Sequence, residues 1–590
     1  MATTHDTLDT TTMCQGCSPS GDVRFAAISH APAVAAPRRY RARRNDVVVL
    51  FDGLPVEERG RFPAHDAEVL LDRWQELEDC LEGVFSAVRI DLRADSVECL
   101  LGVLGMAPAF VARQGRGWIV SNSVAVIRSM TGLGSPDPLG VSSLLSMGWP
   151  AGGRTLIEGI TRLPGGCKHT LTPRGWRERP LLTPAMVAPR FNAREVGGID
   201  QLADRLRVTT TAAANSVDPV WCPLTAGRDS RVILALLRSG GAGSVRYYTS
   251  GVQTDIDVRV ARALAAKLDL PYELVTPTVP ERSDEWTALT RRFVSQTDGM
   301  ANLFGISDHI DHHGAVERLG INFAGPGGEI ARTACVGLLV PFVANTLGLR
   351  SSSRAQRMVM RAKVGRAEGV VTPSAIDTAR AHVENFADIR EAEGWRPREI
   401  LEAYYAFERV RYWAATGVQR LAHATDVFSP FVSRAFIGYA FSLSPEERYI
   451  EASHYKLLAV LAPALRDFPF DVPWMGQQPL RASLQAPADI VRAAVTRIAG
   501  NLARPRRRRT VLATSVDGSA MSFAQRWFEA GLATHRDICL SAAQSPLWTF
   551  VDRRRLESAF VAPPHERTQA MEVLCAVVTA FWYFHGPGST

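Results

Sequence analysis

The pattern of apolar and polar positions changes near residue 200. From Val23 to about Leu182, short apolar runs alternate with Gly, Pro and charged turns: Val47 to Phe51, Val84 to Ile90, Val97 to Leu101 and Trp118 to Ser121. Runs of that length, rich in β-branched and aromatic residues, predict strands. One helical stretch, Ala64 to Leu77, interrupts them. Residues 1–20 are rich in Thr, Ser and Asp without a hydrophobic period and predict a disordered tail. The segment 184–199, with Pro184, Pro189, Gly197 and Gly198, predicts a linker between a domain at 21–183 and a second at 200–590.

Beyond Gln201 strand-sized runs alternate with helical periods. Val220 to Leu224 predicts a buried strand, followed by a turn and a helix from Asp229 to about Leu237. Val245 to Thr249 predicts a second strand. Asp257 to Leu268 sets Val260, Leu264 and Leu268 on one helical face. Tyr272 to Val275 and Ile321 to Ala324 continue an alternation that argues for a parallel α/β sheet. From about Ala355 helical periods dominate, including Glu402 to Arg420 and Glu451 to Leu465. The fold class expected is α/β with two domains.

With 590 residues, 46% apolar, 22% charged, 46 Gly and 35 Pro, the chain is outside the ranges of collagen, wholesale disorder and disulfide scaffolds. No apolar run approaches the ~18 residues of a membrane span, and the N-terminus lacks a secretory pattern, so a cytoplasmic protein is expected. The formal charge of +7 is local. Five arginines lie in Pro37 to Arg44 and five in Ala503 to Arg509; removing these ten charges turns +7 into −3. Nucleic acid is therefore not an expected partner. The nine cysteines read as reduced thiols, and Cys14-x-x-Cys17 has no second pair to complete a zinc site.

The chemistry concentrates in Pro223 to Arg231, PLTAGRDSR. A strand runs into Thr225, Ala226 and Gly227, whose small side chains let backbone N–H groups approach an anion, and a helix N-terminus adds partial positive charge. The Thr225 and Ser230 hydroxyls suit phosphate oxygens, and Asp229 suits a magnesium ion. An ordinary strand–turn–helix junction with an Asp or Ser cap uses the same residues.

This stretch resembles the S-G-G-x-D-S pyrophosphate loop of the asparagine synthetase-like family: Gly227, Asp229 and Ser230 match, while Thr225 and Ala226 replace Ser and Gly. Phe323 to Glu329, FAGPGGE, resembles the family's second magnesium loop, with Glu329 in the place of an aspartate. Asp257-x-x-x-Ala261 follows the second strand, as in the family. Leu50 to Pro55, His65 to Leu71, Leu81 to Asp91, Leu104 to Phe110 and Thr155 to Gly166 resemble, in order, the family's glutaminase-type domain. The resemblance implies an N-terminal Ntn-hydrolase-like β-rich sandwich and a C-terminal parallel-sheet ATP pyrophosphatase domain with added helices. It implies ATP and Mg2+ as cofactors, nucleotide binding by Leu224, Thr225, Ala226, Gly227, Arg228, Asp229, Ser230, Thr249, Gly325 and Gly327, and metal binding by Asp229 and Glu329.

Departures narrow the function. A working glutaminase of this family exposes a cysteine at position 1, but here Met1 precedes Ala2, and Asp52-Gly53-Leu54 stands where the family has N-G-E. The domain resembles the degenerate scaffolds of β-lactam synthetase and lasso peptide cyclase. Pro326 stands where β-lactam-forming relatives carry a tyrosine of the base dyad. Lys456 lies on the helix matching the family's K-x-x-L-R, and Arg481 is the cation available beyond it. Glu402, Tyr405 and Glu408 fall near one helical face, with Glu408 the candidate base. Lys456, Glu408 and Arg481 are thus the expected catalytic residues.

The function implied is ATP-dependent amide formation through an acyl-adenylate, releasing AMP and pyrophosphate, in natural-product or peptide tailoring. Expected partners are small-molecule or peptide carboxylates and amines. Partner proteins of a biosynthetic pathway and a homodimer are left open, and no membrane is expected. Two alternatives stand beside it: a glutamine-dependent amidotransferase starting at Met13 with Cys14 as nucleophile, and a non-catalytic partner in a biosynthetic complex.

Overall fold

The structure, a computed structural model, describes residues 11–20, 23–30, 41–63, 65–115, 117–182, 186, 198–276, 280, 282–306, 320–332, 369–395, 397–423, 425–443, 447–448, 451–470, 511–514 and 520–586. The chain has a two-domain α/β architecture: an antiparallel, β-rich N-terminal region and a parallel sheet flanked by helices toward the C-terminus.

Order begins earlier than the sequence pattern predicts. Strand β1 (Thr11–Cys17) pairs antiparallel with β2 (Arg24–His30), so the expected tail of residues 1–20 contains a strand. Cys14 sits within β1, opposite Ala27. The polar Thr-rich run has no hydrophobic period to reveal it, because the pairing partner supplies the stability of a hairpin strand.

Next come β3 (Arg41–Arg44), β4 (Val47–Glu57), β5 (Leu81–Asp91), β6 (Ser96–Leu101), β7 (Phe110–Gln114), β8 (Gly117–Ser121), β9 (Ile160–Arg162), β10 (Cys167–Thr172) and β11 (Gly175–Pro180). They build a six-stranded sheet, ordered β11-β10-β6-β5-β4-β3, and a three-stranded one, β8-β7-β9. The β4–β5 pair runs unbroken from Val47 opposite Asp91 to Glu57 opposite Leu81. Half of the first arginine run is strand β3, at the edge of the larger sheet. Positive charge there disfavours pairing with another chain's edge, which gives these arginines a structural use without a nucleic-acid partner. The second run and most of the expected linker lie outside the described residues.

The second region holds β12 (Val220–Pro223), β13 (Val245–Ser250), β14 (Tyr272–Val275), β15 (Ile321–Phe323) and β16 (Asp426–Phe428), all parallel, in the order β14-β13-β12-β15-β16. Crossover helices are Arg228–Ser239 and Ile256–Leu268. The first strand therefore lies centrally, with later strands added first on one side and then on the other. Open sheets wound this way have a crevice at the carboxyl ends of the strands where the winding reverses, here between β12 and β15.

The predicted helix from Glu402 to Arg420 is three pieces: helix Pro397–Tyr404, a π-helical stretch Tyr405–Ala414, and helix Ala415–Ala422. The wider i→i+5 turns rotate successive side chains away from the faces of an α-helix. Near the C-terminus, helix Pro564–His585 is exposed in its first turns and buried all round from Val573 to Tyr583, with Leu574, Cys575, Val577, Val578 and Phe581 fully shielded. No helix among the described residues is long and apolar enough to cross a membrane.

The two regions share one continuous apolar core and are tied by buried polar contacts. Glu82 accepts from the Arg434 amide at 3.2 Å, Asp298 accepts from the amides of Val124 and Ala125 at 3.2 and 3.3 Å, and Arg411 donates to the Gly165 carbonyl at 3.2 Å.

Candidate active site

The turn after β12 is closed by its own side chains. Thr225 and Ser230 hydroxyls are 2.9 Å apart, the Gly227 amide donates to Thr225 Oγ1 at 3.0 Å, and the Thr225 amide donates to Ser230 Oγ at 3.2 Å. Asp257, in the first turn of the next helix, accepts from the Ala226 amide at 2.9 Å. Leu224 is anchored by its amide to the Tyr248 carbonyl at 2.7 Å. Buried Thr249 donates its hydroxyl to the Leu224 carbonyl, so it braces the turn from β13. The Arg228–Ser239 helix starts at Gly227 without a side-chain cap. Its first-turn N–H groups face the crevice end of the sheet with the positive end of the helix dipole.

Asp229 is the centre of the arrangement. Its Oδ2 pairs with the Arg332 guanidinium, and its Oδ1 lies 2.7 Å from His454 Nε2. His454 Nδ1 is 3.1 Å from the Ser453 hydroxyl; with Nδ1 accepting there, Nε2 carries the proton and donates to Asp229. Burial alone would raise the Asp229 carboxyl, but the Arg332 charge and the His454 hydrogen bond outweigh it and hold it well below the usual carboxylate range.

The turn after β15 comes up beside Asp229. Gly327 has φ +97°, a left-handed backbone that favours glycine, and a Cβ on Gly328 would lie 2.1 Å from Asp229 Oδ1. A Cβ on Gly325 would lie 3.2 Å from Asp229 Cβ. The glycines thus let the second turn pack directly on the Asp229 carboxylate. Glu329 follows them, its carboxyl pushed up by burial and then by the negative charge of Asp229. Burial alone would lower Arg332, but Asp229, Glu451 and Glu329 raise it above its ordinary value.

Two neighbouring acids from different loops, one penalised by the other, suit a hard divalent ion that takes one or two carboxylates and completes its shell with water and phosphate oxygens. Asp229 and Glu329 fit that donor set, with Arg332 now supplying the positive charge. Among the described residues no cluster of three or more His, Cys, Asp or Glu side chains forms a metal cage.

No family model matches the chain, and no curated protein matches it. Its chemistry must be read from the geometry.

The expected residues divide. Thr225, Ala226, Gly227, Asp229, Ser230, Gly325, Gly327 and Glu329 come together at the two turns. Arg228 turns toward Glu451, with Nε 2.5 Å from a carboxylate oxygen. Lys456 is on the outer side of the Ala452–Leu461 helix, 39% exposed and 2.9 Å from Glu447. Glu408 is buried at the contact between the regions, where it accepts from the Gly152 amide at 3.1 Å and meets His382 Nε2 at 3.2 Å. The π-helical turns split the shared face expected for Glu402, Tyr405 and Glu408. Glu402 goes to Arg448 at 3.2 Å, the Tyr405 hydroxyl lies close enough to Arg332 to act on its charge, and Glu408 turns to the N-terminal region. Arg481 lies outside the described residues.

The sequence reading missed His454, Arg332, Glu451 and Gly328 as parts of the site. None of them carries a local signal in the sequence: His454 and Arg332 meet Asp229, and Glu451 meets Arg228, only once the fold brings distant segments together. Arg231, next along, is fully buried, donating to the Phe468 and Pro469 carbonyls at 2.7 and 2.8 Å with its guanidinium 3.8 Å from the Phe470 ring centre. It ties the chain after the His454 helix to the helix of Asp229.

Proposed function

We propose that the protein is an ATP-dependent amide synthetase, activating a carboxylate as an acyl-adenylate and passing the acyl group to an amine. The observation that carries this reading is topological. The two motif turns, Thr225 to Ser230 and Gly325 to Glu329, follow β12 and β15, the strands on either side of the winding reversal, where open α/β sheets bind ligands. The helix beginning at Arg228 offers uncapped N–H groups to a pyrophosphate leaving group.

In this reading Thr225, Ala226 and Gly227 admit the phosphates close to backbone, and Asp257 and Thr249 keep the turn in shape. His454 and Ser453 orient the Asp229 carboxylate. Magnesium held by Asp229 and Glu329 would shield the phosphate charge as pyrophosphate leaves. The acceptor amine and the carboxylate are small molecules or peptides, in natural-product or peptide tailoring, and Lys456, Glu408 and Arg481 remain the proposed residues of the second half-reaction.

Hydroxylamine trapping tests the reading. Incubated with ATP, Mg2+ and a panel of free carboxylates and peptides, the protein is expected to form hydroxamate, AMP and pyrophosphate with at least one of them, and Asp229→Ala is expected to abolish all three. Product formation untouched by Asp229→Ala would move the chemistry elsewhere. Absence of products across a broad panel would favour a non-catalytic partner.

A further inference from the structure

Both oxygens of Asp229 are in use, by two groups of unequal mobility. His454 is fully buried, its ring centre 5.8 Å from that of Phe431 and 6.3 Å from that of Phe436, so packing fixes it. Arg332 follows the short turn Gly328–Ala331 on a long, rotatable side chain, and its pair with Asp229 keeps about a fifth of each side chain in contact with solvent. Of the two partners, Arg332 is the one able to leave.

Where it sits, its guanidinium takes the Asp229 oxygen a metal ion would need. It also lies among Glu329 and Glu451, whose charges act on it. A planar guanidinium is the side chain best matched to phosphate oxygens. On the nucleotide-binding reading above, we infer that Arg332 is the resident counter-ion of Asp229 and is exchanged for a divalent cation when nucleotide arrives, its guanidinium passing to a phosphate. Every charge stays paired through the exchange: carboxylate with arginine before, carboxylate with metal and phosphate with arginine after. Metal and nucleotide then favour each other's binding, by a coupling that is reciprocal.

Mn2+ binding to the full-length protein, read as loss of the free-ion electron paramagnetic resonance signal, tests this without turnover. Without nucleotide, Arg332→Met is expected to bind Mn2+ about tenfold more tightly than wild type, because a repelling unit charge within a few ångströms has gone. Arg332→Lys, which keeps the charge, is expected to stay near wild type, and adding Asp229→Asn to Arg332→Met is expected to erase the gain. Should Arg332→Met melt early by circular dichroism, Arg332→Gln carries the same expectation. Equal or weaker Mn2+ affinity in a folded neutral variant would overturn the proposal, as would a gain that survives Asp229→Asn. A fluorescent non-hydrolysable ATP analogue at saturating Mg2+ separates the two readings: wild type is expected to bind it and Arg332→Met more weakly. No binding by wild type would remove the nucleotide reading and the transfer to phosphate, whereas equal binding by both proteins would remove the transfer alone.

Discussion

Replacing Asp298 by Asn is expected to flatten the protein's pH–stability profile between pH 5 and pH 7.5. Asp298 belongs to the second region but caps the first turn of the N-terminal region's Val124–Thr131 helix, its two oxygens accepting from the Val124 and Ala125 amides. Burial pushes its carboxyl up to about 6, against the smaller opposing effects of those amides and of Arg128. Tyr583, which also feels the Asp298 charge, packs against Gly299. The sign follows from proton linkage. A carboxyl that holds its proton more tightly when folded gives stability present at low pH and lost as pH rises through about 6. For a shift from 3.8 to about 6, the loss between pH 5 and pH 7.5 is on the order of 1 kcal/mol, roughly tenfold in the folding equilibrium. Asn does not titrate and keeps one accepting oxygen, so its variant loses a hydrogen bond, about 1 kcal/mol, at every pH. Urea unfolding followed by tryptophan fluorescence at the two pH values measures the double difference. The expected result is that wild type loses stability relative to Asp298→Asn as pH rises. A difference of zero, or one of the opposite sign, would refute the burial argument.

Three further outcomes are expected. Arg231→Met leaves the carbonyls of Phe468 and Pro469 without their buried donor and is expected to cost about 3 kcal/mol in urea unfolding; a cost below ~1 kcal/mol would show that the segment does not depend on this tie. Gly328→Ala drives a methyl group into Asp229 Oδ1 and is expected to lower affinity for an ATP analogue at least roughly tenfold, more than the same change at Gly243, which has open space around it. Lys456→Ala breaks only a partly exposed pair with Glu447 and is expected to change stability by less than ~1 kcal/mol, so a large loss of product formation in this variant would assign Lys456 to the chemistry rather than to the fold.

The strands of the parallel sheet were legible because buried parallel strands are short, continuous apolar runs, as at Val220 to Pro223 and Val245 to Ser250. The Thr225 to Ser230 turn was legible because small residues, an acid and a hydroxyl at a strand–helix junction serve few other purposes. Strand β16, with three residues, was too short to give a period, so the fifth strand of the sheet went unseen. The π-helical stretch was hidden for a related reason: Tyr405 to Ala414 carries an acceptable α-helical pattern, and its wider turns come from contacts with the N-terminal region through Glu408 and Arg411. The roles of His454 and Arg332 were beyond local reading because they meet Asp229 across 225 and 103 residues of chain. Sequence spacing carries no information about such encounters until the sheet order is known.

The central claim is that the turns after β12 and β15 form one nucleotide site. Hydrogen–deuterium exchange of the full-length protein, with and without Mg-ATP, tests it most directly. The account expects ATP to slow exchange in peptides covering Leu224 to Ser230 and Gly325 to Arg332 together, with Asp229→Ala losing both effects. Protection at neither turn, at only one, or in a distant segment instead would contradict it.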